Sequence, residues 1–409
     1  MPKQDEVDPA RSGGRSGLRL LYAATLCNFT AFGSYFAAIQ LYVEDELGAS
    51  RASVGLAVGA FSVSALLVRP FVGRGIDARG RRPFLLGALS LLALTSLGFL
   101  IAGTVPAVVG LRLLQGVAGG TFYTTAAAVA TDLAPIERRA SAIARFSLFL
   151  YAGFALGPVA AEWAIDAIGF ATVWLAAAAL GATGAVCVAL LPETGRSAMA
   201  VRAELGPGRR RLLHPAAIGP GLVLLTTGMG YSSITGFSSL YGRAIGVSDP
   251  GLLYATFAVT VIGVRLVAGR LADTVGRIAT ALPGLALGAV GLGVLALVQE
   301  PAAAFVGVAA FGAGFALIFP ALMAFTVDRV PDHERGEALG SFTAFMDAGS
   351  GGGAYLIGAI ADSAGFGWAY GTPALMCVAG GGLLLVLGAR SPQGPTQNNL
   401  ARSVVTDAG

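Results

Sequence analysis

The stretch "VRPFVGRGIDARGRRPFL", residues 68–85, sets Arg69, Arg74, Asp77, Arg79, Arg81 and Arg82 between two long apolar runs. Only 12% of the 409 residues are charged and 55% are hydrophobic, with a mean hydropathy of +0.73. Soluble proteins carry about 25% charged residues. The apolar residues recur in runs of about 20, each long enough for a bilayer core of roughly 30 Å. Lipid offers no hydrogen bonds, so such runs must be helices that satisfy their own backbone groups. The charged stretch is therefore a short loop between two membrane helices.

Working outward from it, the chain divides into twelve spans: 19–43, 52–74, 83–103, 106–131, 139–165, 170–191, 216–242, 250–271, 279–299, 302–328, 336–361 and 368–389. Residues 1–18 and 390–409 read as polar, disordered tails, and 192–215 as an Arg-rich linker. The first apolar run exceeds the roughly 7–15 residues of a signal-peptide core, so it reads as a span. Of the 27 Lys and Arg residues, only Arg51 and Arg243 fall in the loops opposite the charged stretch. Basic residues collect on the cytoplasmic side, which puts both tails and the linker there. The net charge of +4 thus reflects topology and gives no sign of nucleic-acid binding.

Cys27, Cys187 and Cys377 lie singly in apolar spans, and His214 and His333 stand alone in loops, so no metal site is expected. No Gly-x-x-x-x-Gly-Lys-Ser/Thr loop is present, so this chain has no site of its own for driving work with ATP. No nucleophile–base arrangement points to an enzyme, and no cofactor is implied. A single lysine among the basic residues, with abundant Ala and Gly, suggests a GC-rich bacterial genome and hence an inner-membrane protein.

The second half of the chain repeats the first at an offset of 196 residues. Arg69 falls on Arg265, Gly73 on Gly269, Arg74 on Arg270, Asp77 on Asp273, Gly80 on Gly276 and Arg81 on Arg277. Asp132 falls on Asp328, Arg139 on Arg335, and Gly153 and Gly157 on Gly349 and Gly353. Rare charged residues do not align so by chance. The expectation is an all-α membrane protein of two six-helix halves, 19–191 and 216–389, in parallel orientation. Such repeats place a substrate site near the midplane between the halves.

These residues resemble the major facilitator superfamily over nearly the whole chain. "GRGIDARGRR" is similar to its loop signature between spans 2 and 3, "RLLQG" (Arg112, Gln115, Gly116) to its span 4 motif, and "GFALGP" (Gly153, Gly157, Pro158) to a span 5 motif of proton-coupled exporters. The second-half copy, "GRLADTVGRI", departs by ending in Ile278. The resemblance implies a gate on the cytoplasmic side built from Gly73, Asp77, Gly80, Arg81, Arg82 and Asp132, with Asp273, Arg277 and Asp328 as second-half counterparts. Gly80 would supply a tight turn, Asp77 would meet the N-terminus of span 11 near Gly336, and Asp132 would hold Arg81. Gly153, Gly157 and Pro158 would pack helices.

Ionisable residues at membrane depth are functional candidates by default. Asp347 lies about ten residues into span 11, roughly 15 Å deep at 1.5 Å per residue. Arg112 and Arg145 lie within spans 4 and 5. An acid that takes up and releases a proton, with an arginine beside it, would couple transport to protons, so Asp347 with Arg112 or Arg145 is the expected coupling site. Asn28, Phe32, Tyr35, Gln115, Tyr123, Tyr231 and Phe319 belong to helices that line the cavity in the resembled family and are expected to contact substrate. Glu162 and Asp166 read as solvated at the outer interface. "SGGGAYLIG" (350–358) reads as close helix packing and a bending point.

The expected function is a monomeric, proton-coupled exporter of a small amphipathic compound, in contact with membrane lipid. A proton symporter importing a sugar or organic anion, and a non-transporting receptor or scaffold, are the alternatives. The topology is checked by labelling intact cells with an impermeant thiol reagent. Asp249→Cys should be modified and Ser197→Cys should not; labelling of position 197 from outside would reverse the orientation.

Overall fold

The computed structural model describes residues 9–135, 138–194, 213–268, 271–331 and 334–389. The side chains of residues 9–15, 70, 73–74, 77–78, 140 and 272–273 are outside that description. The linker core 195–212 and the tail 390–409 lie outside the described residues. Helix α1 (Pro9–Leu41) starts inside the segment read as an N-terminal tail.

α2 (Arg51–Arg79), α3 (Arg82–Gly98), α4 (Val105–Asp132), α5 (Arg139–Ala167) and α6 (Phe170–Ala189) complete the first half. The second comprises α7 (Pro215–Ala244), α8 (Gly251–Ala268) with a further turn Leu271–Thr274, α9 (Arg277–Leu297) and α10 (Pro301–Val327). A continuous helical stretch, Arg335–Ala389, follows. Gly365, at φ 81°, breaks that stretch into α11 (335–364) and α12 (366–389). The bend falls there and not in the glycine run 350–358, whose residues keep helical dihedrals.

Nine helical stretches among the described residues are long and apolar enough to cross a bilayer, the broken one supplying two spans. α1 and α7 are not among them because they carry the polar side chains of the molecule's centre. Thr25, Asn28, Ser34 and Gln40 on α1, and Thr227, Ser232, Ser233, Thr235, Ser238 and Ser239 on α7, are all buried. These two helices face protein on their polar sides, so lipid does not require them to be uniformly apolar.

Each half is built the same way. α5 packs on α1 and α11 on α7; α4 packs on α2 and α10 on α8; α6 packs on α3 and α12 on α9. The repeated glycines explain the first of these contacts. A Cβ on Gly153 would lie 2.7 Å from the α1 backbone, one on Gly157 would lie 2.5 Å from the Ser34 nitrogen, and one on Gly353 would lie 3.0 Å from the α7 backbone at Met229. Gly80 and Gly276 follow the repeat too, at φ 89° and 101°, where a side chain would be strained.

The halves meet along α2 with α11 and along α5 with α8, with α1 and α7 touching between them. α2 and α11 run antiparallel with small residues facing each other. A Cβ on Gly55 would lie 2.9 Å from the Ala354 carbonyl carbon, and one on Gly358 equally close to that of Arg51. Ser350 Oγ donates to Ser62 Oγ across the same seam at 3.1 Å. Small residues let membrane helices approach closely, so the glycine run of α11 is a contact between halves. A Gly59→Leu wedge, opposite Gly351, should keep this seam from closing. Spin labels at Glu46→Cys and Asp249→Cys, on opposite halves, should then sit farther apart than in the parent; an unchanged distance would count against a seam that closes this end.

Candidate functional site

The bundle has one end where α2 begins at Arg51 and another where the α2–α3 loop carries Arg81. The Arg51 end is sealed by carboxylates that cross between halves. Asp362 of α11 accepts hydrogen bonds from the Arg51 and Ala52 backbone N–H groups at 2.9 and 2.8 Å, capping α2. Glu162 of α5 accepts from the Gly251 N–H, capping α8, and from the Ser239 hydroxyl. Each half therefore satisfies the first turn of a helix in the other, where acidic groups are favoured. The Arg51 guanidinium lies over Phe366 at 4.4 Å, and Arg243 pairs with Asp45 at 2.9 Å and Asp166 at 3.5 Å. Gln40 reaches across from α1, donating to the Thr235 carbonyl at 3.2 Å and accepting from the Leu240 N–H at 3.4 Å. Glu162, read from sequence as solvated, is only 6% exposed. The sequence shows its interfacial depth but not that α8 begins against it.

At the Arg81 end the charges brace each half. Arg81 meets Asp132 at 3.3 Å and donates to the Ile76 carbonyl at 2.8 Å, while its own N–H donates to Glu193 at 2.7 Å. Arg277 meets Asp328 at 3.1 Å, the same pair in the second half. Arg82 donates to the Ala189 carbonyl. The side chains at positions 73, 77 and 273, expected in the gate, lie outside that description. Among the described residues, a Cβ built on Gly336 or Gly340 of α11 would meet nothing within 4 Å.

Between these ends, Asp347 of α11 meets Arg69 of α2, with Nη1 to Oδ2 at 2.5 Å and Nη2 to Oδ1 at 3.3 Å. The arginines expected beside Asp347 are elsewhere. Arg112 is buried in the first half, bound to Gln115 Oε1 at 2.9 Å and the Ala57 carbonyl at 3.3 Å, with its guanidinium 4.8 Å from the Phe61 ring centre and 5.8 Å from that of Tyr35. Arg145 is exposed on α5. The reason is helical register: the face of α2 that meets α11 through Gly55, Gly59 and Ser62 continues to Arg69, whereas the α4 side chain of Arg112 turns into its own half.

The residues expected to contact substrate divide likewise. Tyr123 of α4 is 38% exposed and lies 5.9 Å from the Arg69 guanidinium, within electrostatic reach of Arg265, Tyr151 and Asp347. Tyr231 of α7 stacks on Phe315 at 5.4 Å and lies within reach of Tyr151 and Asp347. Phe319 continues that aromatic row, 6.4 Å from Phe315. The others are not part of this cluster. Tyr35 stacks on Trp174 and donates to Ser96 at 2.7 Å, away from the centre. Phe32 packs on Phe61, and Gln115 holds Arg112. Asn28 is 1% exposed, with both amide atoms lacking a partner. Phe36, one residue past Tyr35, is the α1 aromatic that faces the other half, 6.2 Å from Tyr254. Only the helix's rotation, which the sequence does not reveal, distinguishes Phe36 from Tyr35.

The two crossing caps are the contacts most open to test. A capping side chain contributes about 0.5–2 kcal/mol, or roughly a 2- to 30-fold change in an equilibrium. Asp362→Ala, alone and with Glu162→Gln, should lengthen the label distance across the Arg51 end progressively. No change in the double variant would show that the caps do not hold this end shut.

A family model described as Major Facilitator Superfamily matches residues 21–264 and again 221–407. An MFS-type transporter of Burkholderia mallei is 30% identical, over 94% of this chain and 95% of its own length. One of Salmonella typhimurium is 28% identical, over 80% and 84%. The same fold occurs in the human organic anion transporter MFSD10, with a TM-score of 0.68, 17% identity, and coverage of 91% of this chain and 99% of that one. It occurs also in the nucleoside transporter NupG, at 0.71, 14%, 91% and 99%. With two overlapping family matches spanning both halves, this chain belongs to the major facilitator superfamily of membrane transporters.

Proposed function

We propose that this transporter is a proton-coupled exporter of a small amphipathic organic compound, working as a monomer in a bacterial inner membrane. Both termini and the 192–215 linker lie in the cytoplasm, so the sealed Arg51 end is the outer one. The site then opens inward, where cargo for export would enter. The observation that carries the reading is the Arg69–Asp347 pair, which sits at the centre and joins one half to the other. Tyr123 and Tyr231 beside it offer ring faces and hydroxyls to a compound that is partly apolar.

Arg69 and a proton compete for one carboxylate. With the outer seam shut, α2 holds Arg69 on Asp347. When the halves rock to open the outer side, α2 and α11 separate, and Asp347 takes a proton from outside in place of Arg69. Return to the inward state brings Arg69 back and displaces the proton to the cytoplasm. One proton enters for each return, while substrate leaves on the outward stroke. The Gly-x-x-x-Gly-Pro motif on α5 is consistent with exchange of this kind.

The test is transport into proteoliposomes with a pH gradient imposed in either direction. Asp347→Asn should abolish uphill accumulation while retaining part of the downhill exchange. Accumulation driven by pH in that variant would place the coupling proton elsewhere. Accumulation in the wild type only when substrate and protons move in the same direction would make the chain a symporter.

A further inference from the structure

The symmetry that sets Arg69 beside Asp347 also sets Arg265 beside Tyr151, since 265 − 69 and 347 − 151 both equal the repeat of 196. In one junction between the halves the arginine meets a carboxylate at 2.5 Å; in the other its guanidinium lies over a tyrosine ring, 4.8 Å from the centre. Arg265 Nε is buried and has no hydrogen-bond partner. Among the described residues, no carboxylate lies within ion-pair distance of Arg265. A ring face attracts a cation without neutralising it, so Arg69, Arg265 and Asp347 together carry one net positive charge.

An uncompensated guanidinium at membrane depth needs a partner of opposite charge or a water-filled cavity. Arg265 is only half-buried, and Tyr123, within its electrostatic reach, is 38% exposed, which leaves room beside the guanidinium for such a partner. The other deep arginines are not available, since Arg69 is held by Asp347 and Arg112 is enclosed by Gln115, Phe61 and Tyr35. A guanidinium presents parallel N–H groups that fit a carboxylate. Next to it stands Tyr151, with Tyr123 within electrostatic reach, and beyond Tyr151 comes Tyr231, backed by Phe257 and Phe315.

We propose that Arg265 binds the anionic group of the substrate, which is an organic carboxylate with an aromatic body. The carboxylate fills at Arg265 the place that Asp347 fills at Arg69, and the body lies against the three tyrosines. This rests on the reading of the chain as a transporter of amphipathic compounds and narrows it to monoanions.

The experiment measures equilibrium binding to the purified full-length protein in detergent, at constant pH and without a gradient. The probes are 2-naphthoate and 4-biphenylcarboxylate, each with its primary amide as the neutral isostere. The wild type should bind the acids at least tenfold more tightly than the amides. Arg265→Gln should erase that preference, and Arg265→Lys should keep part of it. Tyr151→Asp, which gives Arg265 the partner that Arg69 has, should also erase it while leaving the arginine in place. Gel filtration and thermal unfolding identify any variant that fails to fold, and the remaining variant with the wild type then decides. Equal affinity for acid and amide in the wild type, no binding of either acid, or a preference that survives in folded Arg265→Gln or Tyr151→Asp would each overturn the assignment. Because no proton gradient is present, these results stand apart from those of Asp347→Asn in proteoliposomes.

Discussion

The contact on which the rest depends is the close approach of α2 to α11. Two helices from different halves lie with backbone almost against backbone, because Gly55, Gly59, Gly351, Ala354 and Gly358 leave nothing between them. In lipid, no hydrophobic force draws one apolar helix to another; association comes from fit and from polar contacts. Here the fit is provided by missing side chains, and the two carboxylates sit at either limit of the seam, Asp362 on the start of α2 and Asp347 on Arg69. A contact made mainly by shape can part and re-form without exposing a large apolar face. That suits a joint whose task is to open.

The two halves share a scaffold but not a chemistry. Packing glycines, loop turns and the Arg81–Asp132 and Arg277–Asp328 braces repeat, since each half must fold by the same rules. The junctions between the halves do not: Asp347 answers Tyr151, so one arginine meets a carboxylate and the other a ring. A strictly symmetric pair would present two equivalent half-sites, whereas the exchange of a proton for cargo proposed above needs two different ones.

Much of the fold was legible in the sequence because lipid restricts the choices so severely. Apolar runs of one length, a register of rare charges and the glycines at 153 and 157 specified the helices, the repeat and the α1–α5 packing. Asp347 stood out because an acid at that depth is conspicuous. Its partner did not, since Arg69 and Arg265 look like residues near the ends of their spans until the tilt of α2 and α8 is known. The contacts of Glu162, Asp362 and Phe36 were illegible for a related reason. What each does depends on which helix of the other half begins or passes opposite, and a linear pattern contains no information about that meeting. The glycine run of α11 was read correctly as packing, but the bend lay further on at Gly365, where the chain must turn between two spans.

The unneutralised guanidinium of Arg265 has an electrical consequence. A membrane potential falls mainly across the sealed part of a transporter, because the water-filled side takes the potential of the solution it opens to. With the Arg51 end shut, Arg265 is at the potential of the Arg81 side; when the seal changes ends, the same charge is at the potential of the other. It has then crossed much of the field while scarcely moving within the protein. A full crossing corresponds to about 2.3 kcal/mol per elementary charge per 100 mV. The voltage across the membrane therefore biases the empty carrier toward one orientation, and a bound anion, by cancelling one positive charge, weakens that bias.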